Sequence, residues 1–139
     1  MAAIEKHVTR EVLALDDSTP CSEAARLMSE RKVGSVAVRH GGKVVGLVTE
    51  RDLVGRVLAR GASAAMPIGQ AMRTDLPVVQ MDAGEREVAE LMKTHFTRHL
   101  LVSERGEVRG VISMRDVIQL MLDEKQFLID QLHTYIDGR

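Results

Sequence analysis

An α/β (α+β) fold built from two copies of one β-α-β-β-α unit is what this 139-residue sequence predicts. Three observations carry the prediction. Gly46-Leu47-Val48-Thr49-Glu50-Arg51-Asp52 returns as Gly110-Val111-Ile112-Ser113-Met114-Arg115-Asp116, 64 positions on, and the offset holds without a gap across about fifty residues. Each copy follows a pair of β-branched runs separated by a glycine turn. Each pair follows an apolar stripe at helical spacing, Ala24, Ala25, Leu27 and Met28 in one half and Val88, Ala89, Leu91 and Met92 in the other.

Taken in order, residues 1–11 read as a short, partly helical lead-in and Val12 to Leu15 as a brief apolar run. Asp16-Asp17-Ser18-Thr19-Pro20 is a helix-start signal in which Ser18 or Thr19 can cap and Pro20 suits the first turn. A helix is expected from Cys21 to about Arg31, then strands at Ser35 to Val38 and Val44 to Val48 around a His40-Gly41-Gly42-Lys43 turn. A second helix starts after Thr49 and runs to about Arg60, where Gly61 ends it. The pattern restarts at Val78 to Met81, with Asp82 and Glu85 spaced as a capping box for a helix reaching His95. Strands at Leu100 to Val102 and Val108 to Ile112 flank the turn Glu104-Arg105-Gly106-Glu107. The organisation is therefore a first repeat with its lead-in over 1–62, a linker over 63–71, a second repeat over 72–122 and a C-terminal helix extension over 123–139. Neither half holds enough core alone, and packing the two sheet to sheet buries both apolar faces.

The halves differ after Asp116. Ile118, Met121, Leu122, Leu128, Ile129, Leu132 and Ile136 prolong one apolar stripe to Gly138. A helix of roughly twenty-three residues is about 35 Å long, more than one small half covers. Part of the stripe is expected to meet a second subunit.

Composition excludes several classes. The formal net charge is −1 and aromatics are 2% with no Trp, which argues against nucleic acid and acidic membrane surfaces as partners. Cys21 is the single cysteine, so there is no disulfide framework or multi-cysteine zinc site. No run approaches a membrane span and the N-terminus lacks a signal-peptide core, which makes a cytoplasmic location the expectation. His95 and His99 have the spacing of a metal pair, but a helix end between them should separate their faces, so no metal site is expected. The methionines lie at core spacing. No nucleophile–base pair marks an enzyme.

Thr49-x-x-Asp52 and Ser113-x-x-Asp116 are capping boxes by pattern. Their recurrence after a strand, in both halves, also suits a ligand: amide hydrogens at a helix start attract phosphate. The aspartate is an acceptor for a ribose diol. At these residues the chain resembles a tandem pair of CBS (cystathionine β-synthase) domains, and its C-terminal helix resembles that of small bacterial stand-alone pairs. The resemblance implies pseudo-twofold packing with two clefts between the halves, head-to-head or head-to-tail homodimers, and regulatory binding of AMP, ADP, ATP, NAD or S-adenosylmethionine with no cofactor required.

The same resemblance implies Asp52 and Asp116 as ribose ligands, with Thr49 and Ser113 serving ribose or phosphate. It implies Thr9, Val12 and Leu13, and Thr74 with Leu76, as adenine-pocket residues, each set facing the other half's aspartate. Arg98 beside His99 would meet phosphate, where the first half has Gly34, so the Asp116 cleft is expected to be the better equipped and to fill first. Ile112, Met114 and Arg115 complete the expected site. A regulated partner protein is implied as well. The rival reading is a purely structural dimerisation module whose aspartates only cap helices.

Overall fold

The structure is a computed structural model that describes residues 3–137. Met1 and Ala2 of the lead-in, and Gly138 at the end of the expected stripe, lie outside them. Two three-stranded sheets form, one per half. In the first, β1 (Ala14–Asp16) runs parallel to β2 (Ser35–His40), which is antiparallel to β3 (Lys43–Thr49). In the second, β4 (Val79–Gln80), β5 (His99–Glu104) and β6 (Glu107–Ser113) repeat that order. A bulge falls between Val38 and Arg39 and again between Val102 and Ser103, at the repeat offset. Positive φ angles at Gly41, Gly42, Arg105 and Gly106 make the two hairpin turns.

The helices are α1 (Cys21–Arg31), α2 (Glu50–Asp52), α3 (Ile68–Ala71), α4 (Glu85–Thr94) and α5 (Met114–Ile136). A π-helical stretch, Leu53–Leu58, prolongs α2, and Gly61 at φ 65° closes it. Strand alternation divides the apolar residues. Val38 and Val48 face α1 in the first core, and Leu100, Val102 and Ile112 face α4 and α5 in the second. Ala37, Leu47, Leu101 and Val111 point the other way and join the sheets, with Val12, Ala14, Val44, Leu76 and Val108 around them.

The segments ahead of the repeats exchange halves. A 3₁₀ turn, Ile4–His7, places Ile4 at 0% exposure in the second core, where its N–H donates to Ala83 O at 3.0 Å. Its counterpart α3 places Ile68 in the first core, with its N–H on Thr19 O at 2.8 Å. Thr9 and Val111 exchange two backbone hydrogen bonds (2.9 and 3.0 Å), and Arg73 and Leu47 do the same (3.1 and 3.4 Å). The lead-in thus belongs structurally to the second half, and the last residues of the expected 63–71 linker belong to the first half's core.

This exchange explains Gly46 and Gly110. A Cβ on Gly46 would lie 2.8 Å from Met72 Sδ and 3.0 Å from Arg73 O, and one on Gly110 would lie 2.7 Å from Thr9 O. The crossing segment leaves room only for hydrogen. It also explains the start of α1. Neither Ser18 nor Thr19 caps it; Pro20 stands at the cap, and Cys21 and Ser22 N–H donate to Met66 O and Ala64 O (2.8 and 2.9 Å). Asp82 does not cap α4 either, because the cap position falls two residues later, at Gly84.

In α5 only Val117 and Leu120 are buried. Met121, Leu122, Phe127, Leu128, Leu132, Tyr135 and Ile136 are all exposed. Among the described residues no helix is long and apolar enough to cross a membrane.

Candidate functional site

Two clefts of similar size open where the halves meet, one of about 610 Å³ holding Asp52 and one of about 630 Å³ holding Asp116. Gly34, Glu50, Arg98 and His99 form a wall common to both. The Asp116 cleft brings together Thr9, Val12, Leu13, Arg98, His99, Ser113, Met114, Arg115 and Asp116 as expected, and adds Glu11, Lys32 and Ile118. The Asp52 cleft takes Thr49 and Asp52 with Arg51, Arg73, Lys93 and Phe96.

Three expected residues fall elsewhere. Thr74 and Leu76 line a separate hollow of about 90 Å³ beside Val44–Leu47, and do not reach Asp52. Ile112 is at 0% exposure in the second core, pointing away from both clefts. The residue that occupies in the Asp52 cleft the place of Thr9 is Arg73, which the repeat offset applied to Thr9 identifies directly.

Both capping boxes are complete. Ser113 N–H donates to Asp116 Oδ2 at 2.8 Å while Asp116 N–H donates to Ser113 Oγ at 3.1 Å. At the twin, Thr49 N–H donates to Asp52 Oδ2 at 3.0 Å and Asp52 N–H to Thr49 Oγ1 at 3.2 Å. In each case the cap fixes the carboxylate's rotamer using one oxygen. Asp116 is half-buried and its Oδ1 has no protein hydrogen-bond partner among the described residues, so that oxygen remains for a ligand. Asp52 is 5% exposed, and its Oδ1 lies 3.9 Å from Arg56 Nε.

The expected amide cradle for phosphate is mostly spent. Met114 N–H donates to Arg98 O at 2.7 Å and Glu50 N–H to Gly34 O at 3.0 Å, in addition to the cap bonds. An anion in either cleft must therefore be met by side chains. Arg73 is already engaged, donating from Nε and Nη2 to Asp75 (3.0 Å each) and from Nη1 to His95 O at 2.8 Å.

His99 stands at the centre, against Gly34. A Cβ on Gly34 would lie 2.9 Å from His99 Cε1 and 2.8 Å from Glu50 Oε1. Burial pushes the imidazole below its ordinary value of 6.5, with Arg98 adding to the shift and Glu50 and Asp116 opposing it. The folded chain therefore binds this proton less readily than the unfolded chain. Its contribution to stability is complete above about pH 6.5 and is lost as pH falls through the lower folded value. The expected result is a urea midpoint that drops as pH falls below 6.5, with a flatter profile in His99→Gln.

His95 ends α4 and His99 lies on β5, and among the described residues no three metal-ligating side chains cluster. Cys21 is buried, and that burial pushes its thiol up, away from reactivity.

Paired sheets, exchanged lead-ins and two capped carboxylates facing inter-repeat clefts define a pseudo-twofold tandem-repeat module. The chain belongs to the CBS domain family, which it matches over residues 4–59 and again over 68–123. It is thus a paired CBS module. It is 26% identical to the CBS domain-containing protein YhcV of Bacillus subtilis over 84% of either chain. A solved, uncharacterized conserved protein from Pyrococcus horikoshii superposes with a TM-score of 0.81 at 31% identity, covering 86% of this chain and 92% of that one. A hexameric CBS-CP12 protein from bloom-forming cyanobacteria superposes with a TM-score of 0.75 at 28% identity, covering 85% of this chain and 70% of that one.

Proposed function

We propose that the protein is a cytoplasmic adenine-nucleotide sensor without catalysis of its own. It binds AMP, ADP, ATP, NAD or S-adenosylmethionine between its repeats and passes the occupancy on to a partner protein. The observation that carries this reading is the unpaired Oδ1 of Asp116, held by a completed cap at the mouth of a roomy cleft beside Thr9, Val12 and Leu13. A carboxylate oxygen so placed accepts from a ribose diol, and the apolar pair offers a face to the base. The ligand touches both halves, so it favours whichever inter-repeat arrangement it binds better, by no more than the difference in affinity. At one hundred times its dissociation constant it adds about 2.7 kcal/mol of stability. Thermal melting with each of the five compounds at millimolar concentration tests the reading, and no shift with any of them defeats it.

The completed capping boxes also suit the rival, a dimerisation module with no ligand. It expects Asp116→Asn to change stability slightly and ligand response not at all.

Self-association through the outer part of α5 forms part of the proposal. Phe127, Leu128, Leu132 and Tyr135 are each at least 60% exposed, a stripe that a free helix in water does not favour. Sedimentation should give a homodimer mass for the wild type and a monomer for Leu128→Asp with Leu132→Asp, at nearly the same melting temperature. A monomeric wild type would remove the dimer from the proposal.

A further inference from the structure

The two clefts are equivalent by symmetry and unlike in charge. Arg51, Arg73, Lys93 and Arg98 stand over Glu50 and Asp52 in one, whereas Lys32, Arg98 and Arg115 are matched by Glu11, Glu50 and Asp116 in the other. Two of the substitutions between the copies produce this: Thr9 becomes Arg73 and Ser29 becomes Lys93. No ion pair among the described residues involves Arg51, Lys93 or Arg98, so three cations reach the Asp52 cleft unneutralised. Asp52 itself is buried against Arg56, which removes much of its repulsion.

The rim differs too. Lys32 and Phe96 occupy the same left-handed position after α1 and α4 (φ 55° and 51°). The first puts an ammonium at the Asp116 cleft. The second puts a 77%-exposed phenyl face at the Asp52 cleft, at a backbone angle that bulky residues avoid.

We infer that the Asp52 cleft is the polyphosphate site, taking a nucleoside di- or triphosphate with its phosphates on Arg51, Lys93 and Arg98 and its base on Phe96, while the Asp116 cleft takes a nucleoside of lower charge. This rests on the nucleotide reading above and reverses the order of filling expected from sequence. A concave cationic surface concentrates polyanions, the more so at low ionic strength.

Calorimetry on the full chain tests it with ATP, AMP and inorganic tripolyphosphate, using the wild type, Arg51→Gln with Lys93→Gln, and Phe96→Ala. The double variant should weaken ATP and tripolyphosphate by roughly tenfold, from the loss of two charge-assisted contacts, and leave AMP within about twofold. Phe96→Ala should weaken ATP by roughly fivefold through lost stacking and leave tripolyphosphate unchanged. ATP affinity untouched by the double variant, or lost in Asp116→Ala instead, overturns the assignment while leaving the nucleotide reading standing. Tripolyphosphate bound in a variant-sensitive way with no nucleoside bound keeps the anion site and defeats the nucleotide reading. If neither ATP nor tripolyphosphate binds, the assignment fails.

Discussion

Gly110→Ala is expected to lower stability by about 3 kcal/mol, the upper end of what overpacking costs. The added carbon would lie 2.7 Å from Thr9 O and collide with Val8 Cγ1. The carbonyl cannot retreat, because Val111 N–H donates to it at 3.0 Å. Relief requires lifting the segment that carries Thr9 away from β6, which breaks both halves of that bridge and loosens Ile4 in the core beyond. Urea unfolding reads the loss as a lower midpoint. Gly55→Ala supplies the contrast, since nothing lies within 4 Å of a Cβ there, and it should stabilise by about 0.5 kcal/mol. An alanine tolerated at 110 would mean that the lead-in does not cross β6 as described.

The twin aspartates should separate when each becomes alanine. Asp52→Ala removes a 5%-exposed carboxylate that completes a cap and faces Arg56, and it should lower stability by about 2 kcal/mol. Asp116→Ala removes an equivalent cap on a helix anchored by Val117 and Leu120, and should cost about 1 kcal/mol. Binding should reverse that order for a ligand of low charge. Losing the acceptor of two ribose hydroxyls should weaken AMP by about a hundredfold at Asp116. AMP affinity equal in both variants would detach the ribose from Asp116. Chemical denaturation and calorimetry on the same two proteins separate the effects.

Features set by local chemistry were open to the sequence. Thr49-x-x-Asp52 and Ser113-x-x-Asp116 cap because hydroxyl and acid lie at the right spacing, and Gly41-Gly42 and Arg105-Gly106 turn because glycine permits it. The resemblance set Thr9, Val12 and Leu13 opposite Asp116, and these four residues do line one cleft. What depended on distant backbone stayed hidden. The first amides of α1 are satisfied by Ala64 and Met66 carbonyls, a partner no pattern at Ser18 or Thr19 announces. The amides at the start of α5 looked free for phosphate until Arg98 O claimed that of Met114. Thr74 missed the Asp52 cleft because Arg73 is the true counterpart of Thr9, and a shift of one residue along an extended segment changes the face presented; Leu76 stands at the offset of Val12 yet turns into the hollow beside Val44–Leu47.

The exchange of Ile4 and Ile68 between halves bears on how the chain is born. Residues 4–7 leave the ribosome before either repeat, yet the core they seal is completed only after Leu120 has emerged. The earlier half, in turn, waits for α3, which lies beyond its own last helix. Neither half can finish as an autonomous domain during synthesis. A gene fragment ending at residue 62 should yield a polypeptide lacking its closing helix, and folding should be a single cooperative event that waits for Leu120 to emerge.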